Sequence, residues 1–137
     1  MDLNQTTIIV HSLEESAAFY EALGLKRIVW SPPTYARYEC PAGSSTLSLH
    51  LNENGGGAPV SDSARLYFEV DDVERHVTAL SAKGIQFDTP EEKSWRWLEA
   101  WTNDPDGRRI CVYHAGPDRR FPPWRVDGVK AGETVDD

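Results

Sequence analysis

A chain of 137 residues with 39% hydrophobic content is sized for one domain, or a tight pair of half-domains, with a real core. Its net charge of −8 argues against nucleic acid, whose phosphates demand a basic face, and suits solubility. Two cysteines, Cys40 and Cys111, make no disulfide framework, and neither a charged-then-apolar leader nor an apolar run of ~20 residues is present, so free thiols, no membrane contact and a cytoplasmic location are expected.

In chain order, residues 5–10 alternate as a strand does. Ser12 with Glu15 three later reads as a capping box, and Leu13, Ala17 and Tyr20 form the apolar stripe of the helix it opens. Gly24 stands where the chain must turn left-handed to leave that helix. LKRIVW, YARYEC and TLSLHL read as three strands, separated by the turns SPPT and PAGSS. NENGGGAPVSDS, residues 52–63, has almost no large apolar residue and reads as a flexible linker.

The order then starts again. A strand at 65–70 leads to the cap Asp72, the stripe Val73, Val77 and Leu80, and Gly84. IQF, WRWLEAWT and RRICVYH read as strands, with the turn-rich DTPEEKS and then DPDG between them. After His114, FPPW is expected to be extended, with Pro122, Pro123 and Trp124 docked back as a clamp, and the end, GETVDD, to be disordered. The two openings, TTIIVHSLEESAAFYEALGL and LYFEVDDVERHVTALSAKGI, align sixty residues apart, with Val10 on Val70 and Gly24 on Gly84. The expected fold is therefore α+β, from two tandem β-α-β-β-β modules. Module one covers 3–51 and module two 64–114, with the linker between them and a tail at 115–137.

Tandem modules of this kind, FYEALGL closing the first helix and DPDG before the last strand together resemble the vicinal oxygen chelate superfamily over roughly residues 3–114. That group includes glyoxalase I, extradiol dioxygenases, fosfomycin-resistance enzymes and bleomycin-resistance proteins. The resemblance implies curved mixed sheets around a central cavity, and homodimers. It also implies, in metal-using members, four ligands from the first and last strands of the modules. The matching positions here are Gln5, Ser48, Arg65 and Cys111. The His/Gln and Glu pattern of the family is thus replaced by a neutral amide, a hydroxyl, a fixed cation and one thiol. Divalent ions want carboxylate, imidazole or thiolate donors, and a guanidinium keeps its proton beside them, so no metal or other cofactor is expected.

Strand period two puts further side chains on the same faces: Thr7 and Ile9 with Gln5, His50 with Ser48, Tyr67 and Glu69 with Arg65, and Tyr113 with Cys111. Arg65 reads either as a fork for a carboxylate or phosphate or as a strand-end arginine reaching water. Glu69 reads either as a general base or cation anchor or as a structural acid. His50 and Glu69 are the acid-base candidates, and a displaced divalent metal held by both is the alternative to a metal-free protein. Cys111 reads better as an inert buried thiol than as a nucleophile, and His11, His76 and His114 as surface residues. WRWLEAW puts Trp95, Trp97, Glu99 and Trp101 on one strand face, a platform for a flat or cationic ligand unless it is simply packed away.

The expectation is a metal-free small-molecule-binding protein that takes an aromatic, cationic or mixed-charge ligand. Its binding set is Gln5, Thr7, Ser48, His50, Arg65, Tyr67, Glu69, Trp97, Trp101, Cys111 and Tyr113. The alternatives are a lyase or dioxygenase-like enzyme of the same fold, with the displaced metal or with Glu69 as base, and an interaction module whose cavity is filled.

Overall fold

Strand β1, Gln5–Val10, buries Ile8 and Val10 and exposes Gln5, Thr7 and Ile9, the alternation that its sequence spells. Its end hands the chain to Ser12, whose Oγ accepts the Glu15 amide at 3.2 Å and so caps helix α1, Leu13–Leu23. Only that half of the expected capping box forms. The Glu15 carboxylate reaches His11 Nε2 at 2.9 Å instead of the backbone. Leu13, Ala17, Tyr20 and Leu23 form the buried stripe. Gly24, at φ 122°, ends the helix, and the Leu25 N–H returns to the Tyr20 carbonyl at 3.0 Å.

Strands β2 (Lys26–Ser31), β3 (Tyr35–Glu39) and β4 (Thr46–Leu51) complete a four-stranded sheet in the order β1-β4-β3-β2. β1 runs parallel to β4, and the other pairs are antiparallel. α1 packs on β3 and β4. Ala36, Tyr38, Leu47 and Leu49 are buried, which puts the polar residues Tyr35, Arg37, Ser48 and His50 on the opposite face.

The second half repeats this plan with β5 (Leu66–Glu69), α2 (Val73–Ala82), β6 (Glu91–Glu92), β7 (Leu98–Asn103) and β8 (Arg109–His114), in the order β5-β8-β7-β6. Asp72 caps α2 through the Arg75 amide at 3.1 Å, and Gly84 leaves it at φ 90°. β5 is parallel to β8. The architecture is α+β, two four-stranded mixed sheets with one helix each.

Four expectations are corrected. IQF is not a strand: the Thr102 hydroxyl donates to the Gln86 carbonyl at 2.7 Å, and Pro90 has no N–H to offer. The outer strand β6 falls on Glu91–Glu92, inside the stretch read as a turn. WRWLEAWT begins pairing late, because Arg96 sits at φ 73° in a turn closed by its N–H to the Lys93 carbonyl at 2.9 Å. Trp95 therefore lies in that turn and not on the strand. FPPW is neither extended nor docked: Arg125 closes a turn on the Pro122 carbonyl at 3.0 Å, stacks over Phe121 and pairs with Asp127, leaving Trp124 55% exposed.

This computed structural model describes residues 1–54 and 63–133. The expected linker at 52–63 falls mainly outside them, as does the expected disordered end from residue 134. The chain forms two compact units, Met1–Ala64 with Asn103–Arg109, and Arg65–Thr102 with Ile110–Asp137. The turn between β7 and β8 thus belongs to the first unit, although module two supplies it in sequence.

Candidate functional site

In the first unit, the Thr7, Ser48 and Arg37 positions lie abreast in the sheet, as do Ile9, His50 and Tyr35. Ser48 is fully buried, and its hydroxyl meets Gln5 Nε2 at 2.8 Å and the Tyr35 phenol at 2.6 Å. Arg37 Nε donates to the same phenol at 2.9 Å. Gln5 Oε1 accepts from Thr46, and Gln5 Nε2 also donates to Thr7 Oγ1 at 3.2 Å. Burial pushes the Tyr35 phenol up, but the Ser48 hydroxyl and the Arg37 guanidinium outweigh it and hold the group below the ordinary tyrosine range. The His50 ring stands edge-on to Tyr35, its Nδ1 bonded to the Leu51 carbonyl at 2.9 Å and its Nε2 3.8 Å from Glu53.

In the second unit, aromatic rings replace this polar chain. Tyr67 faces Cys111 across the β5–β8 pair, and its ring meets Trp97, Trp101 and Tyr113 edge-on at 6.0, 5.3 and 5.8 Å. Trp97 stacks on Tyr113 at 4.7 Å. Cys111 is fully buried beneath this group, as an inert thiol would be. The Glu99 carboxylate, only 4% exposed, accepts the Trp95 indole N–H at 2.7 Å and the Trp101 indole N–H at 3.0 Å. Arg65 lies over the Trp101 ring at 5.7 Å. Burial pushes the Tyr67 phenol up, with the Glu99 charge adding to it.

Glu69, readable from the sequence as a base, a cation anchor or a structural acid, accepts the Ala115 and Gly116 amides at 2.8 and 2.9 Å, with Arg119 and His114 each 3.9 Å away. That arrangement fastens the end of β8 and the 3-10 turn Gly116–Asp118 to β5, as a structural acid does. His50 and Glu69 belong to different units, each with its own partners.

The donors do not fit an ordinary divalent ion. Gln5 and Ser48 are committed to each other and to Thr46 and Tyr35, and Arg65 is a permanent cation. Among the described residues no three His, Cys, Asp or Glu side chains are grouped to hold a metal. A recess of about 440 Å³ in the second unit is lined by Asp71, Asp72, Glu74, Glu92, Arg96 and His114, and none of the expected binding residues reaches it.

Sequence reasoning missed Tyr35 and Arg37, because it compared only the first and last strands of each module. It also missed what DPDG does beyond turning. Asp104, 5% exposed, accepts the Asp106 and Arg108 amides at 3.0 and 2.9 Å, the Tyr20 hydroxyl at 2.6 Å and the Arg108 guanidinium at 2.6 Å. Arg108 continues to the Ile9 carbonyl at 2.9 Å. Asp106 takes the His11 amide at 3.0 Å and the His11 ring at 2.5 Å. His11, expected to be an idle surface residue, thus fastens the turn to the start of α1.

A sequence model of the glyoxalase/bleomycin resistance protein/dioxygenase superfamily matches residues 2–112, and the chain belongs to that superfamily. Its fold is shared with a lactoylglutathione lyase from Agrobacterium tumefaciens, at 18% identity and a TM-score of 0.65 over 82% of this chain and 92% of that one. A bleomycin-binding protein solved with bleomycin is similar at 17% identity and a TM-score of 0.66, over 83% and 98% of the two chains. A bleomycin resistance determinant encoded on the transposon Tn5 gives 18% and 0.69, over 85% and 99%. No curated protein matches the chain. No described helix is long and apolar enough to cross a membrane.

Proposed function

We propose that this chain is a small-molecule-binding member of the superfamily that works without the usual divalent ion, and that the aromatic face of its second unit takes a flat, cationic or mixed-charge organic ligand. One observation carries the reading: Glu99 sits almost wholly buried among indoles, held by two indole N–H groups, beside the rings of Tyr67, Trp97, Trp101 and Tyr113. A cation over such rings gains ~0.5–2 kcal/mol, and an offset stack ~0.5–1.5 kcal/mol more. Tyr67 and Trp95 keep 45% and 44% of their surface in water, so the face is reachable. Arg65 at its edge supplies the opposite charge that a mixed-charge ligand needs. The similarity to a bleomycin-binding protein supports a binder of this kind.

The test is tryptophan fluorescence titrated with ethidium, a flat aromatic cation, and with naphthalene sulfonate, a flat anion. Saturable quenching by ethidium that disappears in Trp101→Ala supports the reading. Equal, unsaturable quenching by both overturns it. A homodimer belongs to the same proposal. β2 is the outer strand of its sheet and leaves Ile28 and Trp30 partly in water, an apolar edge suited to a second copy. A native mass spectrum holding only monomer removes that part.

A further inference from the structure

The geometry points to a carboxylate-binding site on the open face of the first sheet, formed by Tyr35 and Arg37. This goes beyond the aromatic site and shares no residue with it.

Gln5 Nε2 lies 3.3 Å from the Thr6 carbonyl, which can only accept, so the amide orientation is set and Nε2 is the side that faces Ser48. Ser48 therefore receives a hydrogen bond from Gln5. Ser48 is fully buried, so its own proton needs an acceptor, and the remaining partner of its hydroxyl is the Tyr35 oxygen at 2.6 Å. Arg37 Nε brings a second donor to that oxygen at 2.9 Å. The phenol is thus used as an acceptor twice, and its own O–H is left with no acceptor among the described residues. Arg37 is exposed and makes no ion pair among them, so its two terminal nitrogens are also without an acid. Glu39, the nearest acid along β3, is turned to Lys26 at 3.9 Å.

A guanidinium fork and a phenol O–H two residues apart on one strand therefore offer their donors on the same face. A carboxylate matches this set: one oxygen takes the guanidinium edge, the other the phenol. One cation balances one negative charge. A phosphate dianion would leave charge uncompensated on a protein already at −8. The buried Ser48, itself held by Gln5, keeps the Tyr35 phenol in place, the preorganisation a recognition site requires.

The experiment is a titration of the uniformly ¹⁵N-labelled full chain with benzoate, followed at the Arg37 Nε–H resonance and the β3 amides. Saturable shifts with benzoate and none with the neutral isostere benzamide are expected. Arg37→Gln should weaken binding about tenfold or more and Tyr35→Phe about threefold, while Arg37→Lys, which keeps the charge but loses the fork, should not restore it. Spectral dispersion in each variant reports that it is folded. Equal shifts with benzamide, unchanged affinity in Arg37→Gln, or tighter binding of inorganic phosphate at the same resonances would overturn the carboxylate assignment. The part of the ethidium quenching that depends on Trp101 reads the second unit, so the two proposals fail independently.

Discussion

The two sheets share a topology and differ in what covers their open faces. In the first, a chain of hydrogen bonds from Gln5 through Ser48 and Tyr35 to Arg37 organises the surface. In the second, Arg65 stands just before β5 and Cys111 on β8, and four rings with a buried Glu99 organise it. The difference teaches that a duplicated backbone constrains register and burial, not chemistry. On the proposed metal-free reading, neither copy has to keep donors for an ion, and each is free to become a different kind of surface.

Asp104→Ala should have the greatest effect on the first unit. It leaves the buried Tyr20 hydroxyl and the Arg108 guanidinium without their carboxylate, and should cost about 3–5 kcal/mol in urea unfolding. A loss near zero would show that the first unit does not depend on its polar network. Trp97→Ala removes the stack on Tyr113 and the edge contact with Tyr67. It should cost about 2–3 kcal/mol, with Trp97→Phe recovering part of it. Glu99→Gln keeps one good acceptor for two indole N–H groups and should cost about 1 kcal/mol, with a shifted tryptophan emission.

Smaller still is a pH effect at His11. The hydrogen bond to Asp106 and then its charge, with Glu15 adding to both, raise this imidazole above 6.5. A raised folded value means stabilisation that is complete below pH 6.5 and is lost as pH climbs through the raised value. His11→Asn should flatten that part of the stability curve, and ring-proton NMR should show the late titration. The finest test sharpens the polar face alone. The Tyr35 phenolate should appear below the ordinary tyrosine range in ultraviolet absorbance, and Arg37→Gln should move it up.

Much of the fold was legible. Gly24 and Gly84 at matching places, the caps Ser12 and Asp72, and DPDG before the last strand placed both helices and most strands within a residue or two. Arg96 was not legible: a non-glycine residue at positive φ breaks the period-two reading and moves Trp95 off the strand. Nor was the loss of IQF, which turns on Thr102 taking a carbonyl from across the fold. At the candidate site, the sequence pointed to Ser48, Tyr67, Trp97 and Trp101, which alternation puts on the faces. Tyr35 and Arg37 needed the register of β3 on β4, and Asp104 needed the fold that brings it to Tyr20. The sequence left Glu69 open between a base and a structural acid, because a carboxylate on a strand shows its charge but not the backbone amides of Ala115 and Gly116 that occupy it.

The proposed metal-free reading holds that neither copy keeps the donors of a divalent site. It is tested most directly by elemental analysis with native mass spectrometry of protein purified from medium supplied with zinc, nickel, manganese and iron. The account predicts only trace, substoichiometric metal, removed by brief dialysis with no change in stability. A full equivalent of one metal per chain, retained through dialysis and raising the unfolding midpoint, would contradict it.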